Sequence, residues 1–127
     1  FLFLPYQDKK DIPYSMTACD VSLVSVSEGM ESLVAPSKLY PALAAGRPIA
    51  VICPEETYLE ELIQRDDCGS TFKNGESRGL AIFLKALSDN ASLVSKMGFE
   101  GRQKMRRSFT PNVIAEKYAN TLFNSVY

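Results

Sequence analysis

Histidine is absent from this chain, and so is tryptophan. Without imidazole there is no His-based catalytic triad and no ordinary zinc site of mixed His and Cys ligands. Cysteine is sparse. Cys19, Cys53 and Cys68 form an odd set without metal-ligand spacing, and the apolar neighbours of Cys53 read as the setting of a reduced, buried thiol. Net charge is scarce as well, −1 overall, so no global basic field argues for nucleic acid. No apolar run approaches the roughly 20 residues that span a bilayer. The opening FLFLP is too short for a signal peptide and has no basic leader. It reads as a core strand with nothing before it and no initiator Met, as expected of a piece of a longer chain.

What is present suits one globular domain over residues 1–127. Apolar residues make up 46% and charged residues 23%, enough of the former to build a real core. Apolar runs at residues 1–4, 21–26 (VSLVSV) and 48–53 (PIAVIC), with a shorter edge-like run at 68–72, predict strands. Helical patterns separate them. Residues 12–19 form a helix with Asp11 as cap and Pro13 in its first turn. Residues 38–45 form another, with Ser37 as N-cap, Pro41 in the first turn, Gly46 as a left-handed stop and Pro48 beyond it. Residues 58–65 carry an apolar stripe at Leu59, Leu62 and Ile63. Ser77 caps a helix whose Leu80, Phe83, Leu84 and Leu87 recur at i, i+3, i+4 and i+7. A helix follows over 91–107, and Thr110-Pro111 opens a last one with Ile114, Tyr118 and Leu122 on one side. Short, continuously apolar strands alternating with helices predict an α/β fold. The expected form is a doubly wound parallel sheet, covered on both faces, with C-terminal helices packed on it.

In such a sheet, ligands bind at the carboxyl ends of the strands. The loop from Ser27 to Pro36 leaves the 21–26 strand there and feeds the Ser37 helix. The amides of Ser37, Lys38 and Leu39 lack intrahelical partners, and the helix dipole adds partial positive charge. A phosphate fits there, and Lys38 supplies a full charge; alternatively Ser37 only caps the helix and Lys38 points to water. Glu28 and Glu31 in the same loop could accept hydrogen bonds from sugar hydroxyls or simply be solvated. Gly29 would let backbone approach a ligand or serve a turn. Met30 and Pro36 complete the candidate substrate-binding set. The basic run Arg102 to Arg107 (RQKMRR) is either a solvated helix face or a contact for phosphate on a lipid-linked acceptor or an anionic membrane.

Several stretches then carry a resemblance: IPY at 12–14, ACDVSLV at 18–24, VAPSKLY at 34–40 and LAAGRPI at 43–49. In this order they resemble the C-terminal, donor-binding domain of retaining GT-B glycosyltransferases of the group 1 family. The likeness is to the bacterial branch with a Pro-Ser-Lys motif that builds extracellular polysaccharide and O-antigen. Cys68-Gly69, the 73–76 stretch KNGE and Phe109-Thr110-Pro111 are similar to later family features. The resemblance implies a Rossmann-like half of a GT-B fold. It implies sugar transfer from a nucleotide-diphosphate donor to a glycan or lipid-linked acceptor. Donor phosphate would lie at Ser37, Lys38 and Leu39, and Glu31 is the candidate for a catalytic carboxylate. No metal or cofactor is implied, because amides and basic side chains neutralise the leaving diphosphate. The implied partner is an N-terminal acceptor domain outside this chain. The implied location is the cytoplasm or the inner face of the membrane.

This chain departs from the family pattern in two respects. The family's two signature glutamates would fall at Leu33 and Pro41, where neither residue is acidic. The family's diphosphate-clamping basic pair lies upstream of Phe1, so the isolated chain is expected to be inactive. A non-catalytic nucleotide-binding or scaffolding module is the alternative reading. A nucleotide-sugar 2-epimerase of the same architecture would require a histidine in this half.

Overall fold

The computed structural model describes residues 2–30, 33 and 35–124. Three strands form one parallel sheet in the order β1 (Ser22–Ser25), β2 (Ile49–Ile52), β3 (Gly69–Phe72). Helix α1 (Ile12–Thr17) precedes the sheet. Helix α2 (Leu39–Ala45) joins β1 to β2, and α3 (Tyr58–Arg65) joins β2 to β3. Three helices follow: α4 (Ser77–Asp89), α5 (Ala91–Ser108) and α6 (Pro111–Asn124). The architecture is α/β, consistent with a Rossmann-like fragment. None of these helices is long and apolar enough to cross a membrane.

Strand alternation builds the core. Val24, Ile49 and Val51 share one face, where they meet Leu39 and Leu43 of α2 and Leu59, Leu62 and Ile63 of α3. Burying each such side chain stabilises the fold by about 1.5–3 kcal/mol. On the opposite face Phe72 meets Phe83 of α4, with ring centroids 5.6 Å apart. The central strand β2 buries Ile49, Ala50 and Val51 in succession, as a strand covered on both faces must. Coverage is incomplete at β1, whose outward Leu23 is 59% exposed.

Helix α3 begins with Thr57, whose hydroxyl accepts from the Glu60 N–H. The Glu60 carboxylate in turn accepts from the Glu56 N–H at 2.8 Å, a reciprocal cap. Helix α2 ends at Gly46 in the left-handed conformation (φ 67°, ψ 43°), as expected. Helix α5 then crosses this turn closely: a Cβ on Gly98 would lie 2.1 Å from the Gly46 carbonyl oxygen.

Two expectations, the first strand and the Ser77 cap, fail for physical reasons, and two others are met only in outline. Residues 2–8 form no strand, and Leu2, Phe3 and Leu4 are exposed. An apolar run becomes a strand only when a neighbouring edge takes its backbone groups, and Pro5 removes one donor. The α6 stripe is not core: Tyr118 and Leu122 are 69% and 66% exposed. Helical spacing fixes which residues share a face, not what covers it. Asp11 holds the N-cap position of α1 without a side-chain bond; its carbonyl accepts from the Tyr14 and Ser15 N–H groups. Ser77 is the first residue of α4 rather than its cap, and Glu76 before it accepts instead from the Lys73 N–H.

Candidate functional site

Because the strands are parallel, the loops leaving β1, β2 and β3 gather at one end of the sheet. A cleft of about 370 Å³ opens where β1 ends. Residues 23–26 form its floor, and its rim carries Met30, Pro36, Ser37 and Lys38. Pro36 is buried, whereas Ser37 and Lys38 are exposed.

The start of α2 differs from the expected Ser37 cap. Lys38 takes the N-cap position with helical φ and ψ and no side-chain capping bond. Residues 36–38 form a turn closed by the Leu39 N–H donating to the Pro36 carbonyl at 3.0 Å. That main-chain bond uses the amide a serine cap would have satisfied, so the Ser37 hydroxyl has no capping work left. The Leu39 amide is therefore occupied, and its side chain lies in the core with no exposure. Ser37 and Lys38 both line the cleft. Among the described residues Lys38 has no ion-pair partner.

Glu28 is not among the residues that line that cleft. Glu28 lines a second one of about 300 Å³ with Pro54, Glu55, Lys73 and Asn74. Gly29 sits between the two in a left-handed turn (φ 80°), which accounts for a glycine there. Glu31 lies outside the described residues. Across the second cleft Lys73 Nζ meets Glu55 Oε1 at 2.7 Å, and this contact raises the lysine's pKa. The sequence reading missed this pair. The register was the available signal: Ile52 stands beside Phe72, so the residues that follow each strand emerge side by side.

The two positions where the family pattern places glutamates are also located. Leu33 is 76% exposed. Pro41 lies in the first turn of α2 and lines an apolar groove with Ile12, Pro13 and Met16 of α1. Neither position offers a carboxylate to the β1 cleft.

The basic run on α5 divides by role. Arg102 donates to the Ala45 carbonyl at 2.9 Å and so caps α2 from across the interface. Lys104 Nζ lies 2.7 Å from Asp66 Oδ2 and is only 11% exposed. Arg106 and Arg107 lie exposed in the last turn. Of the basic run, Lys104 is held in an ion pair, the exposed Arg102 caps α2, and Arg106 and Arg107 are exposed.

Neither buried cysteine is poised for nucleophilic chemistry. Burial pushes the Cys53 thiol up, partly offset by the hydrogen bond from Thr57. Burial, reinforced by Asp66, pushes Cys68 up to about 11. Among the described residues no group of three His, Cys, Asp or Glu side chains is arranged to hold a metal ion.

No protein-family model matches this chain, and no solved structure matches it. It is similar to a curated Pseudomonas aeruginosa protein named "Probable glycosyltransferase WbjE". The two are 27% identical over 116 residues, which cover 91% of this chain and 28% of that protein. The chain thus spans less than a third of its relative's length, and what the two share is a sequence running through β1, its cleft and the helices behind it.

Proposed function

We propose that this chain is the donor-binding part of a glycosyltransferase, moving a sugar from a nucleotide-diphosphate donor to a glycan or lipid-linked acceptor. The observation that carries the reading is the match to a probable glycosyltransferase along 91% of the chain. The β1 cleft fits that role chemically. A diphosphate resting at its rim would meet the Lys38 ammonium and the Ser37 and Lys38 amides. When the bond between the sugar's anomeric carbon and the phosphate oxygen breaks, negative charge builds on the leaving diphosphate. A fixed cation and N–H donors stabilise that charge without a proton transfer. The apolar floor at Leu23, Val24 and Val26 would exclude water from the same end of the cleft. In this reading the fold is half of a retaining GT-B enzyme working in the cytoplasm or at the inner face of the membrane. The acceptor domain lies elsewhere in the parent protein. Glu31 is the candidate catalytic carboxylate, and Glu28, which lines the neighbouring cleft, is the second carboxylate of the loop.

One observation favours a second reading, a nucleotide-binding or scaffolding module without catalysis. Pro41 faces an apolar groove and Leu33 faces solvent where the family pattern has acids. A thermal-shift series with nucleoside diphosphate sugars tests binding first. A ligand at one hundred times its Kd stabilises the folded state by about 2.7 kcal/mol, a readily measured rise in Tm. No shift with any donor removes both readings. A shift with nucleoside diphosphates, but no labelled sugar transfer by the parent protein with any acceptor, leaves the second.

A further inference from the structure

We propose that the outer edge of β3 is a docking site for a basic, extended peptide segment of a partner protein, which would add to the sheet as a fourth strand. The Ile49 and Cys53 N–H groups donate to the carbonyls of Cys68 and Phe72 at 3.1 and 3.0 Å. Backbone direction alternates along a strand, so the N–H and C=O groups of Gly69 and Thr71 point away from β2. Among the described residues no strand pairs with that side. Natural proteins usually blunt such an edge with proline, an inward charge or a bulge. β3 reads GSTF and has none of these.

All four residues of β3 line a groove of about 250 Å³, together with residues that follow β2 and residues of α3. Its walls carry Glu60 from α3, Glu76 at the start of α4 and the Glu55–Lys73 pair at the top. Three carboxylates against one ammonium leave the groove acidic, and one of the three is already neutralised by Lys73. Glu60 and Glu76 accept hydrogen bonds from main-chain N–H groups, which holds both carboxylates in place. A strand-forming peptide with lysine or arginine at alternate positions satisfies both features. Its backbone takes the open N–H and C=O groups, and its cations meet Glu60 and Glu76. An acidic or proline-rich peptide satisfies neither.

The test uses three fluorescein-labelled hexapeptides: alternating Lys-Val, alternating Glu-Val, and Lys-Val N-methylated at alternate residues. Anisotropy should show the plain Lys-Val peptide binding about tenfold tighter than either of the others. Amide exchange should slow at Gly69 and Thr71 when it is bound. The double variant Glu60→Gln, Glu76→Gln keeps both carbonyl acceptors and should weaken binding about tenfold. Equal binding of the N-methylated peptide would reduce the effect to charge attraction and overturn strand addition. Absence of binding by the Lys-Val peptide, or protection confined to other amides, would overturn the site itself.

Discussion

Replacing Gly98 by alanine sets two well-known effects against each other. Gly98 lies inside α5, where alanine is favoured over glycine by about 1 kcal/mol in an isolated helix. The new Cβ would sit 2.1 Å from the Gly46 carbonyl oxygen and 2.8 Å from its carbon, both backbone atoms that cannot rotate away. Helix α5 must therefore shift off α2, loosening the contact that also seats Arg102 on the Ala45 carbonyl. Overpacking of this kind costs about 1–3 kcal/mol, and loss of one part-buried hydrogen bond adds up to about 1 kcal/mol. The steric side wins, giving a net loss of about 1–3 kcal/mol. Gly101→Ala, three residues along the same helix, is the control. There a Cβ would sit 3.4 Å from Cys68 Cβ and Leu43 Cδ2, a contact small side-chain shifts can accommodate. That variant should be neutral or slightly stabilised. Urea unfolding of both variants beside the parent reads the difference as a midpoint shift at constant slope. If Gly98→Ala proved more stable than the parent, α5 would not lie against the Gly46 turn as described.

Lys104→Met should lose about 1–3 kcal/mol, because it leaves the partly buried Asp66 carboxylate with only the exposed Arg65 guanidinium 3.9 Å away; adding Asp66→Asn should recover part of that loss in the same urea assay. Cys68 ties stability to alkaline pH. Its thiol titrates near 9.0 when unfolded and is raised to about 11 in the fold, so its contribution is complete below pH 9. That contribution, roughly 2–3 kcal/mol, fades between pH 9 and 11, and a Cys68→Ala variant should show a flatter decline over that range. Thiol labelling near neutral pH should modify the partly exposed Cys19 first, with Cys53 and Cys68 reacting only on unfolding; quantitative mass spectrometry of the labelled native protein checks this.

Where a segment's own pattern decided its structure, the sequence was a good guide. Helix α3 formed over the expected residues, with Leu59, Leu62 and Ile63 inward, because an amphipathic period and a core strand on each side leave one solution. Gly46 stopped α2 because left-handed backbone at a helix end is a local requirement. The larger misreadings share one cause, a partner distant in sequence, whereas the helix caps were misread locally. Tyr118 and Leu122 lie on one face of α6 as expected, yet nothing described covers them. Arg102 and Lys104 looked like solvated charges until α2 and the turn after α3 came beside them. Ser37 had every property of a cap, but Pro36 closed the turn through its own carbonyl first. At the candidate site, Met30, Pro36, Ser37 and Lys38 line one cleft together, whereas Glu28 lines another. No spacing rule could separate them, since the break falls at the left-handed Gly29 within a single loop.

The central claim is that the β1 cleft holds the diphosphate of a sugar donor, with Lys38 as its cation. Calorimetric titration of a nucleoside diphosphate into the chain and its Lys38→Gln variant, at low and high salt, tests it most directly. An exposed charge-assisted contact is worth about 1 kcal/mol, so the variant should bind about fivefold more weakly at low salt. Its affinity should also vary less with ionic strength than the parent's, because one screened charge has gone. Equal affinity and equal salt dependence in the two proteins would contradict the assignment of Lys38 and of the cleft it borders.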